Sequence, residues 1–265
     1  MTRGRSRARL WRRLRVTLLL AVLVYVAAES WIDHHMTTSW RSPLWIGIYP
    51  LNGDGSVASE HYLGVLGPQA FTDVERFFAR EASRYGVHLE TPVHVELYPS
   101  PARLPPLLPP GADMLHRVLW SLQLRWYAAR EASHSHPPPQ IRVFVLYHDP
   151  AITPSVPHSL GLQKGLIGVV YAFADRAATR SNEIVIAHEV MHTLGATDKY
   201  DLQSDFPLYP DGFADPQQQP LYPQARAEIM AGRYALSASE IAMPDSLEEV
   251  LVGPRTAAEI HWTGR

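Results

Sequence analysis

Apolar and polar positions alternate along the first two thirds of the chain in a way that predicts mixed strands and helices. Leu44–Leu51 alternates loosely and predicts a first strand, closed by the turn residues Asn52-Gly53-Asp54-Gly55. Phe71, Val74, Phe77 and Phe78 recur at helical spacing, predicting a helix over Phe71–Tyr85 with Gly86 as its stop. Val93–Tyr98 predicts a strand, and a proline-rich loop follows from Pro101 to Pro110. Met114–Ala132 predicts a long helix rich in Leu and Trp. After His134-Ser135-His136 and the prolines 137–139, Ile141–Tyr147 predicts a strong strand. Leu160–Phe173 predicts a further strand or a hairpin, broken by Gly161, Gly165 and Gly168. A very apolar helix then begins near Asn182, with Ser181 or Asn182 as its N-cap. Beyond residue 198 the periodicity fades. Lys199–Gln224 predicts an ordered loop lining a cleft, and Ser237–Ala242 and Thr256–Trp262 predict short closing helices.

The N-terminus has a different pattern. Seven arginines and no acids occupy residues 1–15, and Val16–Ala28 is apolar nearly all round. A basic stretch before an apolar one predicts export. Val26-Ala27-Ala28 offers small residues for cleavage. Extended to Ile32, the segment covers about 25 Å as a helix, slightly short of a 30 Å hydrocarbon core. The reading preferred here is a retained single-pass membrane anchor with Trp31 at the interface and the folded part outside the cytoplasm; the alternative is secretion after cleavage. The organisation expected is therefore an export or anchor segment over 1–32, a spacer over 33–42 and one domain over 43–265.

Charge and cysteine content narrow the chemistry. Without the arginines of residues 1–15, 17 basic and 26 acidic residues remain, a balance of −9 that argues against nucleic acid as a partner. There is no cysteine, which excludes disulfides and thiolate metal sites. Any metal must be held by His and carboxylate.

His188-Glu189-Val190-Met191-His192-Thr193-Leu194-Gly195-Ala196-Thr197-Asp198 reads H-E-x-x-H-x-x-G-x-x-D. His188 and His192 lie one turn apart on one helical face and can share a zinc ion, with Glu189 between them as a base. Chance alone supplies the full pattern in about one such chain in ten thousand, which makes two incidental surface histidines a poor account. The flanking Ile184-Val185-Ile186-Ala187 predicts a buried helix, in which two imidazoles need a partner. Were the helix to continue, residue 198 would lie roughly 15 Å along the axis from His188. Gly195 must turn the chain if Asp198 is to be the third ligand. Asp201, Asp211 and Glu228 remain alternatives for that ligand. Asp198, Asp201 and Asp211 could instead hold calcium, though solvated loop acids are the simpler reading. His134, His136, His148 and His158 lie in or beside loops, without ligand spacing to one another.

The motif resembles the metzincin zinc-peptidase signature, in the variant with Asp in place of the third His that snapalysin-like and immune-inhibitor-A-like peptidases carry. The resemblance implies an α+β fold: a mixed twisted sheet and an active-site helix in an upper part (43–198), and a small, mostly irregular lower part (199–265). It implies Zn2+ held by His188, His192 and Asp198, with Glu189 as general base. It also implies a Met-turn beneath the metal, for which Glu228-Ile229-Met230-Ala231-Gly232 is the candidate. Tyr200 and Tyr234 are candidate donors to an oxyanion. The strand before the active helix, residues 166–173, is expected at the sheet edge, where a peptide could add as one more strand. The activity implied is hydrolysis of peptide bonds in a peptide or protein substrate. The alternatives are a non-catalytic zinc-containing envelope protein that binds peptide or protein, and a purely structural zinc site.

Overall fold

The computed structural model describes residues 11–17, 20, 21, 24, 37–109, 111–131, 137–163 and 165–263. Most of the export or anchor segment lies outside them, as do His34, His35, His134 and His136. Among the described residues no helix is long and apolar enough to cross a membrane.

Four parallel strands form the centre of the molecule: β1 (Leu44–Asn52), β2 (Val93–Leu97), β3 (Ile141–His148) and β5 (Ile167–Phe173). A short fifth strand, β4 (Leu160–Leu162), runs antiparallel to β5. The order across the sheet is β2-β1-β3-β5-β4. Alternation along each strand sends side chains to two separate cores. Ile46, Ile48, Val143, Val145, Val170 and Ala172 face the larger core. Tyr49, Leu51, Phe144, Leu146, Ile167 and Val169 face the smaller one. With both faces covered, β1 and β3 read as nearly continuous apolar runs, as interior parallel strands do.

Two helices bury their stripes in the larger core: α2 (Thr72–Arg84), through Val74, Phe77, Phe78 and Ala82, and α4 (Thr179–Thr193), through Ile184, Ile186, Ala187, Val190 and Met191. The smaller core is closed by α3 (Met114–Glu131), through Trp120, Leu124, Tyr127 and Ala128. One helix escaped the hydrophobic pattern. Helix α1 (Val57–Val65) buries only Ser59 and Tyr62, so it has no apolar stripe to read; the Ser56 hydroxyl caps it by accepting from Ser59 N at 3.0 Å. Helix α5 (Pro254–Glu259) overlaps the closing helix expected at Thr256–Trp262 and begins two residues earlier, with a proline in its first turn.

Three expectations are corrected. Residues 166–173 are not at the sheet edge: β4 pairs Leu160, Gly161 and Leu162 with Val169, Gly168 and Ile167, so the hairpin alternative holds and β4 takes the edge. Ser237–Ala242 is not a helix; within it β8 (Ile241–Ala242) pairs with β7 (Tyr234–Ala235). The active helix starts at Thr179 with Ala178 as N-cap, and no side chain caps it. Asn182 does another job from inside the first turn. Its Oδ1 accepts from Phe173 N at 3.1 Å and its Nδ2 donates to Phe173 O at 2.8 Å. This side-chain amide imitates a strand partner and ties the end of β5 to α4. At fold level the chain is a mixed α and β protein with a mixed sheet, which the α+β expectation anticipated; residues 199–263 add β6 (Ala227–Glu228) paired with β9 (Val250–Leu251).

Asn182 is buried, so Asn182→Ala leaves both backbone groups of Phe173 unpaired. The expected cost is about 1–3 kcal/mol of stability, read as a lower midpoint in urea unfolding.

Candidate metal centre

Helix α4 has its apolar residues on all sides because it is sandwiched between the sheet and the C-terminal segment. His188 and His192 project from one face, their ring centroids 4.7 Å apart at 80°. The helix then ends in a Schellman arrangement around Gly195, whose φ is +106°. Ala196 N donates to Met191 O at 3.0 Å and Gly195 N donates to His192 O at 3.1 Å. The reversal returns Asp198 to the histidines. Its Oδ1 lies 3.2 Å from His188 Nε2 and 3.1 Å from His192 Nε2.

The other ring nitrogens decide what those short distances mean. His188 Nδ1 is 2.8 Å from Ile229 O, and His192 Nδ1 is 2.9 Å from Ala196 O. A carbonyl oxygen only accepts, so both Nδ1 atoms carry protons. In a neutral imidazole the Nε2 is then a bare lone pair. Two lone pairs and a carboxylate oxygen repel at this range unless protons or a cation lie between them. Ligands on tetrahedral zinc, with bonds of about 2.0–2.1 Å, stand about 3.3 Å apart. The observed separations are close to that value. Backbone carbonyls that fix the tautomer of a ligating histidine are also the usual outer support of such sites.

A second, wider grouping by ligand atoms joins His188, Glu189 and His192, all within 4.8 Å of one another. Asp198 is the better third ligand on distance, because its Oδ1 is within 3.2 Å of both Nε2 atoms. Two of the alternatives are engaged elsewhere. The Asp201 carboxylate closes its own loop, accepting from Ser204 N at 3.0 Å and Ser204 Oγ at 2.8 Å. Glu228 is fully buried and accepts from Met230 N (2.6 Å), Ala231 N (3.1 Å), Gly253 N (3.0 Å) and Thr256 Oγ1 (2.7 Å). Among the described residues, Asp198, Asp201 and Asp211 form no ligand group of their own.

Glu228 organises the turn beneath the histidines. Ala231 N and Gly232 N both donate to Glu228 O at 3.0 Å, and Gly232 takes φ +68°. That turn presents Ile229 O to His188 and Met230 O to Lys199 N (2.9 Å), while the Met230 side chain is fully buried in the larger core. Asp198 is held from both sides. Buried Lys199 donates through Nζ to Thr197 O (2.6 Å) and to Glu259 Oε2 (2.7 Å), and Glu259 also accepts from Thr197 N at 3.0 Å. Helix α5, which carries Glu259, thus fixes the residues flanking Asp198.

The site opens on a cleft of about 630 Å³, within the range of small-ligand and peptide pockets. Ile184, Val185, Leu160, Leu202 and Met243 give it an apolar lining, with His158, Tyr200 and Arg233 as polar groups beside His188, Glu189 and His192. Glu189 is 5% exposed, and its Oε2 has no hydrogen-bond partner. Strand β4 crosses just above it. A Cβ on Gly161 would meet His192 Cβ at 2.5 Å and Glu189 O at 2.7 Å, so only glycine lets the strand approach this closely. Tyr234 packs against the larger core, and its neighbour Arg233 is the residue of that segment that lines the cleft. Sequence reasoning missed Arg233 and His158. Neither has a spacing that links it to the helix; Arg233 is held by Asp205 at 3.0 Å.

The electrostatics follow from burial and close charges. Burial pushes the Asp198 carboxyl up, but hydrogen bonds from both histidines and their charges outweigh it and hold it well below the usual carboxylate range. Burial pushes His188 down, while Asp198, Glu189 and the Ile229 carbonyl push it up further, for a net rise. Burial dominates for Glu189 and raises it, against the opposing charges of the two histidines. Burial, with Asp198 and Glu189, also raises Tyr200.

Two outcomes follow. Asp198→Ala lowers zinc affinity by more than the roughly 10–100-fold lost with an outer hydrogen-bond partner, measured by metal content after dialysis against a chelator series; unchanged stoichiometric zinc moves the third ligand elsewhere. The second concerns pH. A His raised in the folded state contributes stability that is present below its unfolded value and lost as pH rises through the folded one. Metal-free protein should therefore melt at lower temperature as pH rises from the unfolded histidine value, about 6.5, through the higher folded one, and saturating zinc should reduce that slope, since metal replaces the histidine protons.

Neither the protein-family models nor the curated proteins provide a match to this chain, so the geometry of the site carries the functional reading.

Proposed function

We propose that this chain is a zinc-dependent metallopeptidase with a metzincin-like catalytic domain. The observation that carries the reading is the meeting of two imidazoles, each fixed with its proton on Nδ1, at one carboxylate oxygen beside an unpartnered buried Glu189 Oε2. His188, His192 and Asp198 would hold the ion. When bound there, zinc supplies a polarised peptide carbonyl and a more acidic water. Glu189 Oε2 takes the proton of the attacking water and passes it to the leaving amine nitrogen. Its raised proton affinity suits both halves of that transfer. Tyr200 and Arg233 line the same cleft and are the candidate donors to the oxygen that gains charge.

The substrate reading follows from the walls. β4 is the edge strand, and it borders the cleft through Leu160 and Gly161. An extended peptide can add there as a further strand, with an apolar side chain directed toward Ile184, Val185 and Met243. The edge at β4 replaces the one expected at residues 166–173. A structural zinc site usually has four protein ligands. Asp201 and Glu228 are both committed to their own hydrogen bonds, which supports an open fourth position and the catalytic reading over a non-catalytic one. The N-terminal sequence supports export with the domain outside the cytoplasm, tethered or released.

Glu189→Ala should retain zinc and lose about a hundredfold to ten-thousandfold of chelator-sensitive cleavage of a peptide library. Undiminished turnover with zinc bound removes Glu189 from the mechanism; absence of any cleavage by the metal-loaded wild type removes the peptidase reading.

A further inference from the structure

Helix α3 has two apolar faces, and the smaller core uses only one. Trp120, Leu124, Tyr127 and Ala128 are buried against the sheet. Leu115, Leu119, Leu122 and Trp126 form a second stripe at spacings of four, three and four residues. That stripe is exposed: Leu115 at 65%, Leu122 at 51% and Trp126 at 63%. A helix of 18 residues is about 27 Å long, so the stripe runs most of the width of a small domain. The proline-rich loop before it enlarges the surface. Trp120 Nε1 donates to Pro106 O at 2.8 Å and the Tyr127 hydroxyl donates to Arg103 O at 2.6 Å, which lays the loop antiparallel along the helix. Leu104 and Leu107 are exposed on it. An apolar area of this kind marks an interaction site.

Charge chooses the occupant. Residues 101–131 hold Arg103, Arg117, Arg125 and Arg130 against Asp113 and Glu131, a balance of +2, although the chain beyond residue 15 carries −9. A basic stretch of an acidic domain therefore coincides with a long exposed apolar helix face. Arg130 lies over the Trp126 ring at 5.4 Å. Leucines and a tryptophan flanked by arginines are the composition of a helix that lies in the interface of a bilayer, its apolar side among the acyl chains and its cations at anionic headgroups. A symmetric contact with a second copy would set these arginines against one another. The face also lies on the side of the sheet opposite α4, so contact there leaves the cleft open.

We propose that the outer face of α3, with the loop at Leu104 and Leu107, is a docking surface for an anionic phospholipid bilayer. It is a second membrane contact, distinct from the N-terminal segment. It does not depend on the peptidase reading.

The absence of cysteine makes the test direct, because any introduced thiol is unique. Leu122→Cys and Leu115→Cys, two exposed positions that leave the core intact, are labelled in the full chain with an environment-sensitive fluorophore. Val57→Cys, 87% exposed at the start of α1, is the control. The chain is reconstituted in vesicles of phosphatidylcholine and phosphatidylglycerol carrying a lipid-borne quencher. The expected result is quenching at 122 and 115 and none at 57, with the ratio of embedded to water-exposed label falling about fivefold for Arg130→Gln. Labels at 115 and 122 that stay as water-exposed on vesicles as the control overturn the proposal. So does shielding without vesicles that rises with protein concentration, which assigns the face to a second copy.

Discussion

Everything at the centre of this molecule depends on one electrostatic constraint. Two imidazoles donate their Nδ1 protons to backbone carbonyls and present Nε2 atoms to a single carboxylate oxygen, at 3.2 and 3.1 Å. In the neutral tautomer this places three electron-rich atoms together, so the arrangement is stable only with positive charge among them. Protons can supply it, and so can a divalent cation. The same constraint explains why the supporting shell is so heavily bonded: a site that gathers like partial charges needs a rigid frame to hold it.

That frame comes from residues far apart in sequence. The helix end supplies Ala196 O, the turn at 228–232 supplies Ile229 O, and α5 supplies Glu259 to fix the neighbours of Asp198. Glu228 is central to the second of these. It is buried with four donors around its carboxylate, and three of them are backbone N–H groups from two different loops. Burial still raises its proton affinity overall, with the hydrogen bonds opposing. Its value to the structure is geometric, because it welds the turn under the histidines to the start of α5. Asn182 plays the corresponding part on the other side, joining the last residue of β5 to the first turn of α4.

The sheet sets the relation between the two ends of the molecule. Its alternating side chains create a large core that carries α4 and the candidate metal centre, and a small core that carries α3. The candidate metal centre lies on one side. The other side presents an apolar, arginine-flanked helix with no described element over it, which is the basis for assigning it a surface role.

Much of this was legible in the residues themselves. The central strands β1, β2 and β3 and helices α2 and α3 are readable because each buries a stripe with a fixed period. The histidine pair, Glu189 and the need for a turn at Gly195 follow from helix geometry alone, since a straight helix would carry residue 198 out of reach. What the sequence left open is what depends on contacts between distant segments. Helix α1 buries too little to show a period. Strand β4 takes the edge because Gly161 can lie against His192 and Glu189, an approach visible only when both are in place. Asp201, Asp211 and Glu228 were as acidic as Asp198 on paper, and it is the hydrogen bonds of the folded chain that commit Asp201 and Glu228 elsewhere. Arg233 lines the cleft and Tyr234 packs on the core, a difference that follows Gly232 with its positive φ. Local periodicity and motif spacing thus determined the elements and the two histidines. Tertiary structure decided which acid meets the two histidines, the strand edge and the cleft wall, because these are set by which groups find partners across long stretches of chain.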